Sequence, residues 1–147
     1  MRFFAAVFAA LVVASCSSTP QPVTAPPMTD LVIPTTVPNG KVEVVVKPTY
    51  PVGQPVRATI RLIPRTGTLR GPLDPFIQAS GFHGTATVRH LAVDSVSVTA
   101  GSIEVPIVWD MRDDSGQVVG GDDYSLVFSV IDDAGRTTPV GATLQVR

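Results

Sequence analysis

The chain has 147 residues, enough for one domain with its own core, and 44% of them are hydrophobic. Eleven Lys and Arg face twelve Asp and Glu, a formal charge of −1, so bulk attraction to nucleic acid is excluded. The single cysteine, Cys16, excludes an intramolecular disulfide, and it leaves no thiol nucleophile or cysteine zinc site elsewhere.

The N-terminus reads as an export signal. Arg2 is followed by an apolar run from Phe3 to Val13 and then by small residues ending at Cys16. A bilayer core needs about 20 apolar residues to be spanned, so the run is too short for a transmembrane helix and suits a signal peptide. Val13-Ala14-Ser15-Cys16 resembles the bacterial lipobox, which implies cleavage before residue 16 and lipidation of Cys16. The chain is then expected to be held to a membrane by its lipid anchor, at about 0.8 kcal/mol per buried CH₂. Ser17 stands where an aspartate would resemble an inner-membrane retention signal. The resemblance therefore favours the outer membrane if the source is Gram-negative.

Residues 17–40 are rich in Pro, Thr and Ser, with Asp30 as their one charged residue. Such a composition cannot bury enough apolar surface to offset chain entropy, and its prolines favour extended polyproline geometry. Residues 31–33, Leu-Val-Ile, are expected to add a short edge strand at most. The expected division is a signal at 1–15, a lipidated linker at 16–40 and a folded body at 41–147.

From Lys41 onward the apolar residues alternate. Val42, Val44 and Val46 share a face, as do Val56, Ala58, Ile60 and Leu62. The same holds for Ile103, Val105, Ile107 and Trp109, and for Tyr124, Leu126, Phe128 and Val130. Val140, Ala142, Leu144 and Val146 close the series, and weaker strands fit residues 85–90 and 94–99. Period-two alternation means sheets with one buried face. About seven such strands separated by Gly, Pro and Asp predict an all-β, antiparallel immunoglobulin-like sandwich. Residues 63–84 break the pattern with three prolines and four glycines. They are expected to form a long loop with one short strand near Phe76 to Ala79, the kind of excursion in which binding sites tend to lie.

Residues 108–124, VWDMRDDSGQVVGGDDY, hold five aspartates between two strands. Trp109-Asp110, Arg112-Asp113, Gly116, Val119, Gly121 and Tyr124 resemble the W-D-G-x-D-x-x-G-x-x-V-x-x-G-x-Y signature of FlgD-type immunoglobulin-like domains. A similar ending occurs in Bacillus intracellular proteinase inhibitor-like domains. Their Y-x-x-G-x-x-V strand opening is matched by Tyr50, Gly53 and Val56. The chain departs from the signature at Met111, where glycine is usual, and by placing Asp122 and Asp123 between Gly121 and Tyr124.

The chemistry of the stretch agrees with a structural role. Aspartates bond their own backbone in turns, and glycines supply positive φ. Trp109 has the bulk to close one end of a sandwich, and Tyr124 the hydroxyl to bond nearby backbone. Residues 132–136, Asp-Asp-Ala-Gly-Arg, read as a second turn. Calcium is the competing reading of the clustered carboxylates, but no EF-hand spacing is present and Arg112 lies among them. No metal or cofactor is expected.

Catalytic signatures are missing. No serine stands in G-x-S-x-G, His83 falls in a loop, and His90 shares parity with Ala86 and Val88 as a packed or edge residue. The chain is therefore expected not to be an enzyme. The leading expectation is a lipid-anchored envelope protein whose immunoglobulin-like domain serves adhesion, assembly or binding of another envelope protein. The alternative is an inhibitor-like module that blocks a protease with an exposed loop at residues 66–84.

Overall fold

A computed structural model describes residues 29–81 and 85–147. Cys16 and the export signal lie outside the described residues, as does His83. The described chain forms ten strands and no helix: β1 (Leu31–Val37), β2 (Gly40–Val46), β3 (Val56–Pro64), β4 (Leu69–Arg70), β5 (Phe76–Ala79), β6 (Thr87–His90), β7 (Ser97–Val98), β8 (Ile103–Trp109), β9 (Asp123–Ile131) and β10 (Thr137–Gln145). All their pairings are antiparallel, in two sheets.

The first sheet has the order β1-β2-β3-β8. In the second, β9 pairs with β10 on one side and with β4 and β5 on the other. β4 and β5 are two pieces of one row, because Arg70 faces Ile131, Ser129 N–H donates to Leu73 O, and Phe76 faces Val127. β6 and β7 likewise form one outer row, along β5 and β4. Each sheet therefore has four rows, and the chain crosses between sheets after β3, β7 and β8, as in an immunoglobulin-like sandwich.

The alternation read from the sequence is what fills the space between the sheets. Val42, Val44, Ile60, Leu62, Leu126 and Leu144 are all buried completely or nearly so. On the outer face of the first sheet, Lys41 and Arg61 both pair with Glu43, and Arg61 also pairs with Glu104 on β8. The hydrogen bond from Lys41, and after it that from Arg61, hold the Glu43 carboxyl below its usual range.

Two expectations are corrected. The body begins ten residues earlier than the boundary at residue 41, because all seven residues of β1 pair with β2, from Leu31↔Val46 to Val37↔Gly40. A proline-containing segment can do this only at an edge, where the missing N–H of Pro34 breaks no ladder inside the sheet. Pro106 in β8 and Pro139 in β10 are in the other long edge strands, and such prolines blunt edge-to-edge association.

Residues 63–84 are not a long loop over their described part. β5 has the bounds expected for the short strand, but Leu69, Leu73 and Ile77 are fully buried and the row runs along β9. Its period is broken where Gly71, Pro72 and Pro75 flank Asp74, whose φ is +44°. Residues 82–84 lie outside the described part.

The aspartate-rich connection as candidate functional site

The connection between β8 and β9 lies at the end of the sandwich where β2 stops, β3 starts and β10 stops. Trp109, the last residue of β8, is fully buried. Its ring meets Tyr124, the second residue of β9, edge-on at 4.9 Å and 70°. Such a pair contributes about 0.5–1.5 kcal/mol beyond its buried area. Each ring also bonds the connection itself: Trp109 Nε1 donates to Arg112 O at 2.8 Å, and Tyr124 Oη donates to Gly120 O at 2.7 Å. The tyrosine arrangement is the corner contact found where a chain turns into this strand of immunoglobulin-like sandwiches. Burial, and then the charge of Asp122, push the Tyr124 hydroxyl pKa upward.

Met111 follows with φ +62° and no exposure. The position is left-handed, a conformation that glycine adopts without strain and a side chain with a Cβ does not. Met111 accepts the strain in exchange for a buried side chain, and its carbonyl receives Val119 N–H at 2.9 Å.

The five aspartates have separate tasks. Asp110 Oδ1 accepts Arg112 N–H at 3.2 Å. Asp113 Oδ1 accepts from Ser115 N, Ser115 Oγ and Gln117 N at 2.9, 2.7 and 2.9 Å, which closes the turn around Gly116 at φ +85°. Those bonds, led by that from the Ser115 hydroxyl, lower the Asp113 pKa.

Asp114 completes the second sheet. Its N–H donates to Val88 O at 2.9 Å, and its Oδ1 accepts His90 N–H at 3.0 Å. Backbone and carboxylate together thus occupy the free edge of β6, as a neighbouring strand would. His90 Nδ1 lies 2.7 Å from Asp114 Oδ2, and Arg89 Nη1 donates to Asp113 O at 2.8 Å. The His90 backbone N–H, followed by its ring, lowers the Asp114 pKa.

Asp122 Oδ1 accepts Asp123 N–H at 2.8 Å, and Asp122 O accepts Val146 N–H at 3.0 Å. Asp123 forms an ion pair with Arg147. Gly121 packs closely here, since a Cβ would come within 3.1 Å of both Val146 O and the Val52 side chain. The connection is thereby fastened to both the start of β9 and the end of β10.

A second tyrosine supports the same end. Tyr50 Oη accepts Lys47 N–H at 2.9 Å and donates to Arg57 O at 2.6 Å, bridging the two ends of the β2–β3 connection. Burial raises its pKa against the opposing Lys47 bond. Its backbone pairs in parallel with the tail of β10, through Tyr50 N–H to Gln145 O and Arg147 N–H to Tyr50 O.

The structure thus brings together Trp109, Asp110, Asp113, Gly116, Gly121 and Tyr124 in one connection, at a different place in the chain from Cys16. Among the described residues no group of three or more His, Cys, Asp or Glu is arranged to hold a metal ion. Asp114 was not among the motif residues. Its partners His90 and Val88 are 24 and 26 residues away in sequence, and no local spacing signals them. A cleft of about 500 Å³ near this end is lined by Lys47, Tyr50, Pro51, Gln54, Pro55 and Arg57. The chain matches no known protein-family model and no curated protein.

Proposed function

We propose that this chain is a lipid-anchored, non-enzymatic protein of the cell envelope whose immunoglobulin-like sandwich serves as a structural and interaction domain. The observation that carries the reading is Val13-Ala14-Ser15-Cys16, placed directly after one cation and an apolar run, with no other cysteine in the chain. The aspartate-rich stretch supports it from the other side. Each of its carboxylates that a catalytic or calcium reading would use takes part in fold-specific bonds to backbone or side chains. The role is adhesion, assembly or the binding of another envelope protein. The inhibitor alternative drew on residues 66–84 as an exposed loop, and Leu69, Leu73 and Ile77 of that segment are core residues.

Cys16→Ser tests the anchor. Lipid labelling and membrane fractionation should show a labelled, membrane-bound parent and an unlabelled variant that a high-salt wash releases. Retention of the variant after that wash, with cleavage unchanged, refutes the reading.

A further inference from the structure

Single exposed apolar side chains need no explanation, but their segregation to one end of a domain does. The large hydrophobic residues exposed among the described residues are Leu31, Val32, Val52, Val108 and Val118, each about half exposed or more. Leu31 and Val32 open β1, Val52 lies between β2 and β3, Val108 is next to last in β8, and Val118 lies between β8 and β9. The register puts all of these at the end of the sandwich that carries Trp109 and Tyr124. The turns at the opposite end, residues 38–39, 65–68, 99–102 and 132–136, hold none of them.

Two further features belong to the same end. The described body starts at residues 29–30, so the 28 residues that precede it, Cys16 among them, join the sandwich there. Asp30 lies fourteen residue steps from Cys16, and at 3.3–3.6 Å per step these reach at most about 50 Å. Lys47 and Arg57, which line the 500 Å³ cleft in that end, make no ion pair among the described residues. Asp30 lines an adjoining cleft with them. Of the aspartates in the neighbouring connection, Asp114 and Asp123 face a histidine or cation of the protein itself, and Asp110 and Asp113 accept bonds from within the connection.

We propose that this end of the sandwich rests on a phospholipid surface, with Val52, Val108 and Val118 in the headgroup layer and Lys47 and Arg57 against lipid phosphates. The proposal rests on the lipid-anchor reading above, because a tether makes the contact intramolecular. A surface too weak to bind a membrane from solution then suffices. The opposite end, with its polar turns, is presented away from the membrane.

The test uses the full lipidated chain in phospholipid vesicles, with an environment-sensitive fluorophore on Val52→Cys, Val118→Cys or Ala134→Cys. Ala134 lies in the polar turn at the far end. The probes at 52 and 118 should shift to the blue and be quenched by nitroxide-labelled lipid, and the probe at 134 should do neither. Adding Val52→Asp to the Val118 probe should abolish its shift while the protein stays on the vesicles. Unquenched probes at 52 and 118 on vesicle-bound protein overturn the docking and leave the anchor standing. Equal quenching of all three overturns the end-on orientation. Loss of the protein from the vesicles overturns the anchor and the docking together.

Discussion

Met111 opposes two effects whose sizes can be separated. It is fully buried, so Met111→Ala removes core packing at a cost of about 2–5 kcal/mol. The φ of +62° stays in that variant, and so does the left-handed penalty of about 1–2 kcal/mol that any residue with a Cβ carries. Met111→Gly removes that penalty at a chain-entropy cost of about 0.5–1 kcal/mol, and it also gives up the buried Cβ that alanine keeps, about 0.8 kcal/mol. The two variants should therefore be nearly equal in stability, whereas in an ordinary buried strand position glycine would be the less stable by about 1.3–1.8 kcal/mol. Both should remain below the parent, because the lost packing exceeds the relief. Urea unfolding followed by the fluorescence of Trp109, the only tryptophan, reads this directly. With an m-value near 2 kcal/mol/M, the two midpoints should nearly coincide, against a deficit of about 0.8 M for glycine in an ordinary strand. If the glycine midpoint falls short of alanine's by that full 0.8 M or so, the left-handed backbone is not what constrains this position. If it equals the parent, the buried methionine contributes no more than the strain it imposes.

Trp109→Ala should cost about 3–5 kcal/mol, a large share of the 5–15 kcal/mol typical of a domain. Asp113→Asn should barely move the midpoint, since an amide oxygen still accepts from Ser115 and Gln117; a reversed order of the two in denaturant unfolding would remove Trp109 from the core. Tyr50→Phe leaves Lys47 N–H and Arg57 O without their shared partner, so it should cost about 1–3 kcal/mol in the same assay, and a neutral result would refute the bridging role. The Asp132 carboxyl is held below its ordinary pKa by the Arg136 N–H, then by the Arg136 guanidinium, against the effect of burial. Its folded pKa lies below the unfolded one, so its contribution is complete above the ordinary carboxylate range. It is lost as pH falls through the folded value. Unfolding midpoints of the parent should therefore drop more steeply below about pH 4 than those of Asp132→Asn, and parallel curves would refute the linkage.

Much of the sandwich was legible because burial on one face of a strand imposes a period of two on a single stretch of chain. The apolar sets of β2, β3, β9 and β10 could be named from the sequence for that reason, as could the turn chemistry of Asp113 and Gly116. β1 was legible only as a short edge strand at residues 31–33, since the Pro and Thr content of the rest matches a linker, and its partner β2 carries it on to Val37. Leu69 and Leu73 were hidden because the prolines and the left-handed Asp74 between β4 and β5 destroy the alternation while the row still follows β9. The sealing of β6 by Asp114, the left-handed φ of Met111 and the gathering of exposed valines at one end join residues distant in sequence. Local periodicity records which face of a segment is buried. Which segments become neighbours, and which surfaces remain outside, is decided only when the two sheets close on each other.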